Sequence, residues 1–200
     1  MILKGFTKYK TIMEGLKMIC WKSINITKEF GLKRIYLISS LIGLMAFVIL
    51  YVPFSILHKN VLLNESGIVL FIFGIILLPL MHLLMHILPL FILNKKIKVT
   101  YKNKSKKRTL PLLTYYTKAY VSKKVSLLVA LAPTIFITIP GMIATYLLAD
   151  FYVYLLLLTT VHIGISFTDF LYVLYIAKAP KQSFIENDNN GFDILIKAPR

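Results

Sequence analysis

Apolar residues dominate four long stretches of the chain, at 35–57, 67–93, 125–149 and 151–177, and polar residues dominate the rest. Each stretch has 23 to 27 residues, and the one Asp, Glu, Lys or Arg within them is Asp169. At about 1.5 Å per helical residue, each is long enough to cross the roughly 30 Å hydrocarbon core of a bilayer. A buried helix of a soluble domain is seldom so long or so free of charge. The pattern predicts an all-α membrane protein with about four transmembrane helices.

The intervening segments carry other patterns. In 18–34, Trp21, Ile24, Ile26 and Phe30 alternate with Lys22, Lys28, Glu29 and Lys33, as expected of a helical segment lying at the headgroups. Residues 110–120, with Pro111, Tyr115, Tyr116 and Tyr120, suit a second interfacial segment. In the tail, Phe184, Ile185, Phe192, Ile194 and Ile196 alternate with polar residues around Asn187-Asp188-Asn189-Asn190-Gly191. That is the period of strands around a turn, and it predicts a small C-terminal β-hairpin. The chain therefore divides into an N-terminal interfacial segment (1–34), a membrane domain (35–177) with a basic loop (94–124), and a tail (178–200).

Composition reinforces this reading. Of 200 residues, 58% are hydrophobic and 16% charged, and the mean hydropathy is +0.74. Soluble domains carry about a quarter charged residues. The net charge of +16 does not indicate nucleic-acid binding, because the basic residues flank the apolar runs and no nucleic-acid module is recognisable. Residues 1–34 hold 8 Lys and Arg, 94–124 hold 11 and 178–200 hold 4, while the opposite side holds only Lys59. The positive-inside rule then puts both termini, the basic loop and the hairpin in the cytoplasm of a multi-pass cell-membrane protein. The single cysteine, Cys20, excludes an internal disulfide. Residues 1–34 have no apolar core of the kind a cleavable signal peptide needs.

Few titratable groups fall inside the apolar runs, and each is a candidate for function because burial in hydrocarbon is costly. His82 and His86 stand four apart on the second run, hence on one helical face, the spacing of a two-histidine metal pair. His162, Ser166 and Asp169 form a stripe on the fourth run. Counting at about 1.5 Å per residue from the inner helix ends, His82, His86 and Asp169 lie about 16, 10 and 12 Å deep, with His162 about 10 Å deeper than Asp169. Two imidazoles and a carboxylate at one level form a ligand set suited to zinc with one position open. The same groups also suit a metal-free hydrogen-bonded network or a proton or ion path.

These residues resemble a family of bacterial membrane proteins described as putative zincin peptidases. The resemblance rests on H-x-x-x-H at His82 and His86 and on Gly164-x-Ser166-x-x-Asp169. A subgroup is closer still, through Cys20-Trp21-Lys22-x-Ile24-Asn25, Tyr51-Val52-Pro53-Phe54-Ser55, His86-Ile87-Leu88-Pro89 and Gly191-Phe192-Asp193-Ile194-Leu195. The similarity covers 18–197, which makes residues 1–17 an extension and Met18 the expected start. It implies zinc as cofactor and Asp169 as the third metal ligand. Zincins carry H-E-x-x-H, where the glutamate is the general base; here that position is Leu83, and no glutamate lies within the four runs.

Three functions follow as expectations. The first is a degenerate zincin-like site in a non-hydrolytic scaffold or regulator of another membrane protein. The second is an intramembrane zinc metalloprotease acting near the cytoplasmic face, and the third is a small transporter or channel. Besides such a partner, the expected contacts are with a bilayer bearing anionic headgroups, and not with nucleic acid.

Overall fold

The computed structural model describes residues 10–13, 16–93, 98–100, 114–116, 120–188 and 191–198. Two short strands, β1 (Lys10–Met13) and β2 (Leu16–Ile24), precede helix α1 (Ile26–Phe30). The long helices α2 (Leu32–Leu57) and α3 (Gly67–Ile92) follow. Strands β3 (Lys98–Thr100) and β4 (Thr114–Tyr116) pair with each other, and β5 (Val121–Ser122) leads into α4 (Lys123–Pro133). A π-helical turn (Thr134–Thr138) joins α4 to α5 (Ile139–Leu147). A 3-10 turn (Ala149–Phe151) then opens α6 (Tyr152–Ile165), followed by α7 (Phe167–Ala177), β6 (Phe184–Asp188) and β7 (Gly191–Lys197).

Among the described residues, Leu32–Leu57, Gly67–Ile92 and Lys123–Leu147 are each long and apolar enough to cross a membrane. Ala149–Ile165 and Phe167–Ala177, bent by 43° at their break, add a fourth when the pair is counted as one span. Strand pairing agrees with that count. β2 leads into α2, β5 leads into α4 and β6 follows α7, yet all three belong to one antiparallel sheet in the order β1-β2-β7-β6-β5. The chain must return to the sheet after α3 and again after α7, so it crosses an even number of times. Most apolar side chains of α2 and α3 face outward, as lipid-facing surfaces do.

The expected tail hairpin is present, with Phe184 opposite Leu195 and Asp188 opposite Gly191. The helical reading of 18–34 is corrected at its first half: residues 16–24 are strand, and only Ile26–Phe30 is helical before Gly31. The cause is β7, whose edge offers backbone partners to β2 from Met18↔Lys197 to Ile24↔Phe192. An alternating pattern has the period of a strand, and with a partner strand available it forms one. Trp21 lies at an irregularity in this pairing and is exposed. The sheet buries Ile24, Ile185, Phe192 and Ile194 against Ile35, Leu171 and Ile176, so it is seated on α7. Of the interfacial segment expected at 110–120, Thr114–Tyr116 form β4, and its other residues except Tyr120, like most of the basic loop, lie outside the described residues.

Two glycines set the spacing of elements. Gly31, at φ +78°, turns the chain between α1 and α2 in a conformation that side chains disfavour. Gly164 of α6 lies against Gly43 of α2, and a Cβ there would stand 2.7 Å from the Ser39 carbonyl oxygen. Small residues of this kind let membrane helices approach backbone to backbone.

Candidate metal centre

The centre forms where α3 meets α4, the π-helical turn and the α6–α7 bend. On α3, His82 and His86 share a face, and their Nε2 atoms lie 3.3 Å apart. Asp169, in the first turn of α7, faces both: its Oδ2 is 3.3 Å from His82 Nε2 and its Oδ1 is 3.3 Å from His86 Nε2. One ligand atom from each residue lies within 4.8 Å of the others. His86 and Asp169 are buried, and His82 is nearly so.

The bend brings these groups together. At Ser166 the α6 ladder ends with its N–H donating to the His162 carbonyl, and the Ser166 carbonyl accepts from Phe170. The second half of the span thus starts afresh in a new direction. Ser166 itself is fully buried, and its hydroxyl has no hydrogen-bond partner among the described residues.

His162 requires a correction. Depth counting along a straight helix put it about 10 Å deeper than Asp169 and about 6 Å deeper than His82, but its Nε2 is 3.1 Å from His82 Nδ1. The 43° bend invalidates a straight-line count. The other ring nitrogen of His162, Nδ1, is 2.9 Å from Thr138 Oγ1.

Thr138 went unnoticed in the sequence, because a threonine in an apolar run has no titratable group to mark it. Thr138 closes a π-helical turn between Pro133 and Pro140, two residues without the N–H that an α-helix needs. The remaining partner, the Val129 carbonyl 2.8 Å from His86 Nδ1, carries no sequence signal, since any residue supplies a carbonyl.

The hydrogen bonds set the ring orientations. Val129 O can only accept, so His86 donates from Nδ1, and in its neutral form its Nε2, 3.3 Å from both His82 Nε2 and Asp169 Oδ1, is an acceptor. The other rings can be satisfied in either direction. In the direction suited to a metal, His82 donates from Nδ1 to His162 and His162 from Nδ1 to Thr138, so that the Nε2 atoms of His82 and His86 are both acceptors turned toward the Asp169 carboxylate. Asp169 Oδ2 is buried and, apart from its 3.3 Å contact with His82 Nε2, has no hydrogen-bond partner among the described residues, which leaves an acceptor for a cation to satisfy.

A scan against family models matches residues 75–184 to the family described as "Putative zincin peptidase". The chain belongs to the putative zincin peptidase family. No curated protein and no solved structure matches it in the corresponding searches. The matched region contains His82, His86, Thr138, His162, Ser166 and Asp169, and thus the whole centre.

The donor set fits the zinc that the family implies. Zinc–nitrogen and zinc–oxygen bonds of about 2.0–2.1 Å in a tetrahedron place neighbouring ligand atoms about 3.3–3.4 Å apart. The three closest approaches between these side chains are each 3.3 Å. Such separations are long for a hydrogen-bonded ion pair, which closes to about 2.7–2.9 Å. His86 backed by a carbonyl, and His82 backed by a second imidazole, have the outer partners that usually orient metal-binding histidines.

Proposed function

We propose that this protein is a membrane-embedded zinc-binding member of its family that holds the metal without hydrolysing peptides. In this reading His82, His86 and Asp169 bind zinc and one coordination position stays open. Zinc held there would supply Lewis acidity and a more acidic coordinated water. What the protein lacks is a group to take that water's proton. The residue after the first histidine is Leu83, and no Glu lies in any of the four spans. Loss of a positioned general base forfeits about 10²–10⁴ in rate. His162 does not replace it, because both of its ring nitrogens are already engaged, with His82 and Thr138. The observation carrying this reading is the three-sided contact of His82, His86 and Asp169 with leucine in the base position.

The proposed setting is a bacterial cytoplasmic membrane, with the sheet, the basic loop and both termini inside, on the strength of the 23 Lys and Arg that flank the inner ends against Lys59 outside. Anionic headgroups are the proposed lipid contacts. The sheet seated on α7 and the interfacial segments are proposed to engage another membrane protein, which makes the chain a scaffold or regulator. The test compares zinc-loaded and metal-stripped protein in cleavage of apolar membrane peptides. No zinc-dependent cleavage is expected. Turnover that appears with zinc and disappears in His86→Ala would instead establish an intramembrane metalloprotease.

A further inference from the structure

A cavity of about 310 Å³ lies beside the metal centre. Leu77, Met81 and Met85 of α3 form one wall, Ile137 of the π-helical turn a second, and Leu155 and Thr159 of α6 a third. Met81 and Met85 each directly precede a histidine of the centre, and Ile137 directly precedes Thr138. α3 and α6 both run toward the sheet, and most lining residues come before the histidines on those helices. The cavity therefore extends from the centre away from the sheet.

Its mouth follows from how the third span is broken. α3 packs on α4 and α6, while α5, beyond the π-helical turn, packs on α6 and touches α3 marginally at most. A wedge is left between α3 and α5, with the half-exposed ring of Phe136 at its rim. Phe136 and its exposed neighbours Ile135 and Ile139 make the surround of that wedge apolar.

The lining says what can enter. The one side-chain hydroxyl on it, Thr159 Oγ1, already donates to the Leu155 carbonyl at 2.8 Å. An extended peptide would bring N–H and C=O groups with nothing to pair them, which is costly away from water. A linear hydrocarbon brings no such groups. Two methionines give the wall the adaptable, polarisable surface that suits a flexible chain, and filling the void restores the dispersion contacts its walls otherwise lack.

We propose that this cavity binds a single hydrocarbon chain of a membrane lipid, which enters sideways between α3 and α5 and lies against the metal centre. The site stands on its walls and does not depend on metal. Its test uses the full chain in vesicles of phosphatidylcholine and phosphatidylglycerol containing a phospholipid with a mid-chain diazirine. Saturable labelling is expected at Met81, Met85 and Ile137, competed by excess unlabelled phospholipid, whereas labelling of the exposed residues Leu37 and Leu44 on α2 rises linearly with probe.

Leu155→Trp and Ile137→Trp should each abolish the saturable component while the protein still elutes as one species, and His82→Ala should retain it. Linear labelling at the three cavity residues in the wild type would overturn the proposal, because it signifies bulk lipid only. So would saturable labelling that survives in both tryptophan variants. Displacement by a single-span apolar peptide but not by phospholipid would assign the cavity to a protein partner and reject the lipid.

Discussion

His162 presents Nε2 to His82 Nδ1 at 3.1 Å, and its other ring nitrogen is 2.9 Å from Thr138 Oγ1. His82 is thereby oriented from a different span. Outer partners of metal-binding histidines typically contribute about 10–100-fold in affinity. His162→Ala should weaken zinc binding by about that factor, and Thr138→Val by less, as read by competition with a coloured chelator. An unchanged affinity in His162→Ala would mean that His82 is held by packing alone.

Leu83→Glu should restore the missing chemistry. The substitution puts a carboxylate directly after the first histidine, where a zincin carries its base. Zinc-dependent cleavage of an apolar membrane peptide should rise by about 10²–10⁴ over the parent. A variant that folds and binds zinc yet stays inert would place the block in substrate access.

The contact of α2 with α6 depends on the absence of a side chain at Gly164. Its Cβ would stand 2.7 Å from a backbone oxygen, Ser39 O, which has no side-chain freedom to yield. Gly164→Val should cost about 1–3 kcal/mol as overpacking, measured as a lower thermal midpoint in detergent. Gly43→Ala, at 3.2 Å from Thr160 O, should cost less.

Lys123 ties the end of α7 to the start of α4, where its Nζ donates to the carbonyls of Ala177 and Ala179 at 2.8 and 2.6 Å. Lys123→Met keeps the stem and removes the bonds. Hydrogen exchange at 178–183 should accelerate, consistent with a loss of about 1–3 kcal/mol for bonds from a charged donor. Exchange within α2 should not change.

Much of the fold was legible because hydrocarbon solvent imposes a simple rule: a span needs length and very little charge, and the four runs, with Asp169 their single charged residue, satisfy it. The tail strands were legible from alternation around an Asn-rich turn. Residues 18–24 were misread because their partner, β7, lies at the other end of the sequence; a strand is specified by its neighbour as much as by its own pattern. In the centre, His82, His86 and Asp169 shared a level by simple counting, but His162 was placed too deep because the count assumed no bend at Ser166. The Val129 carbonyl was invisible for a different reason, since backbone acceptors have no letter in the sequence. Thr138, a threonine in an apolar run, had no titratable group to mark it.

The most direct measurement is the metal content of full-length protein extracted in mild detergent, by inductively coupled plasma mass spectrometry. One zinc per chain is expected, with the metal lost in His82→Ala and in Asp169→Asn and retained in Ser166→Ala. Absence of zinc from the wild type after incubation with excess metal, or equal zinc in wild type and both ligand variants, would contradict the account.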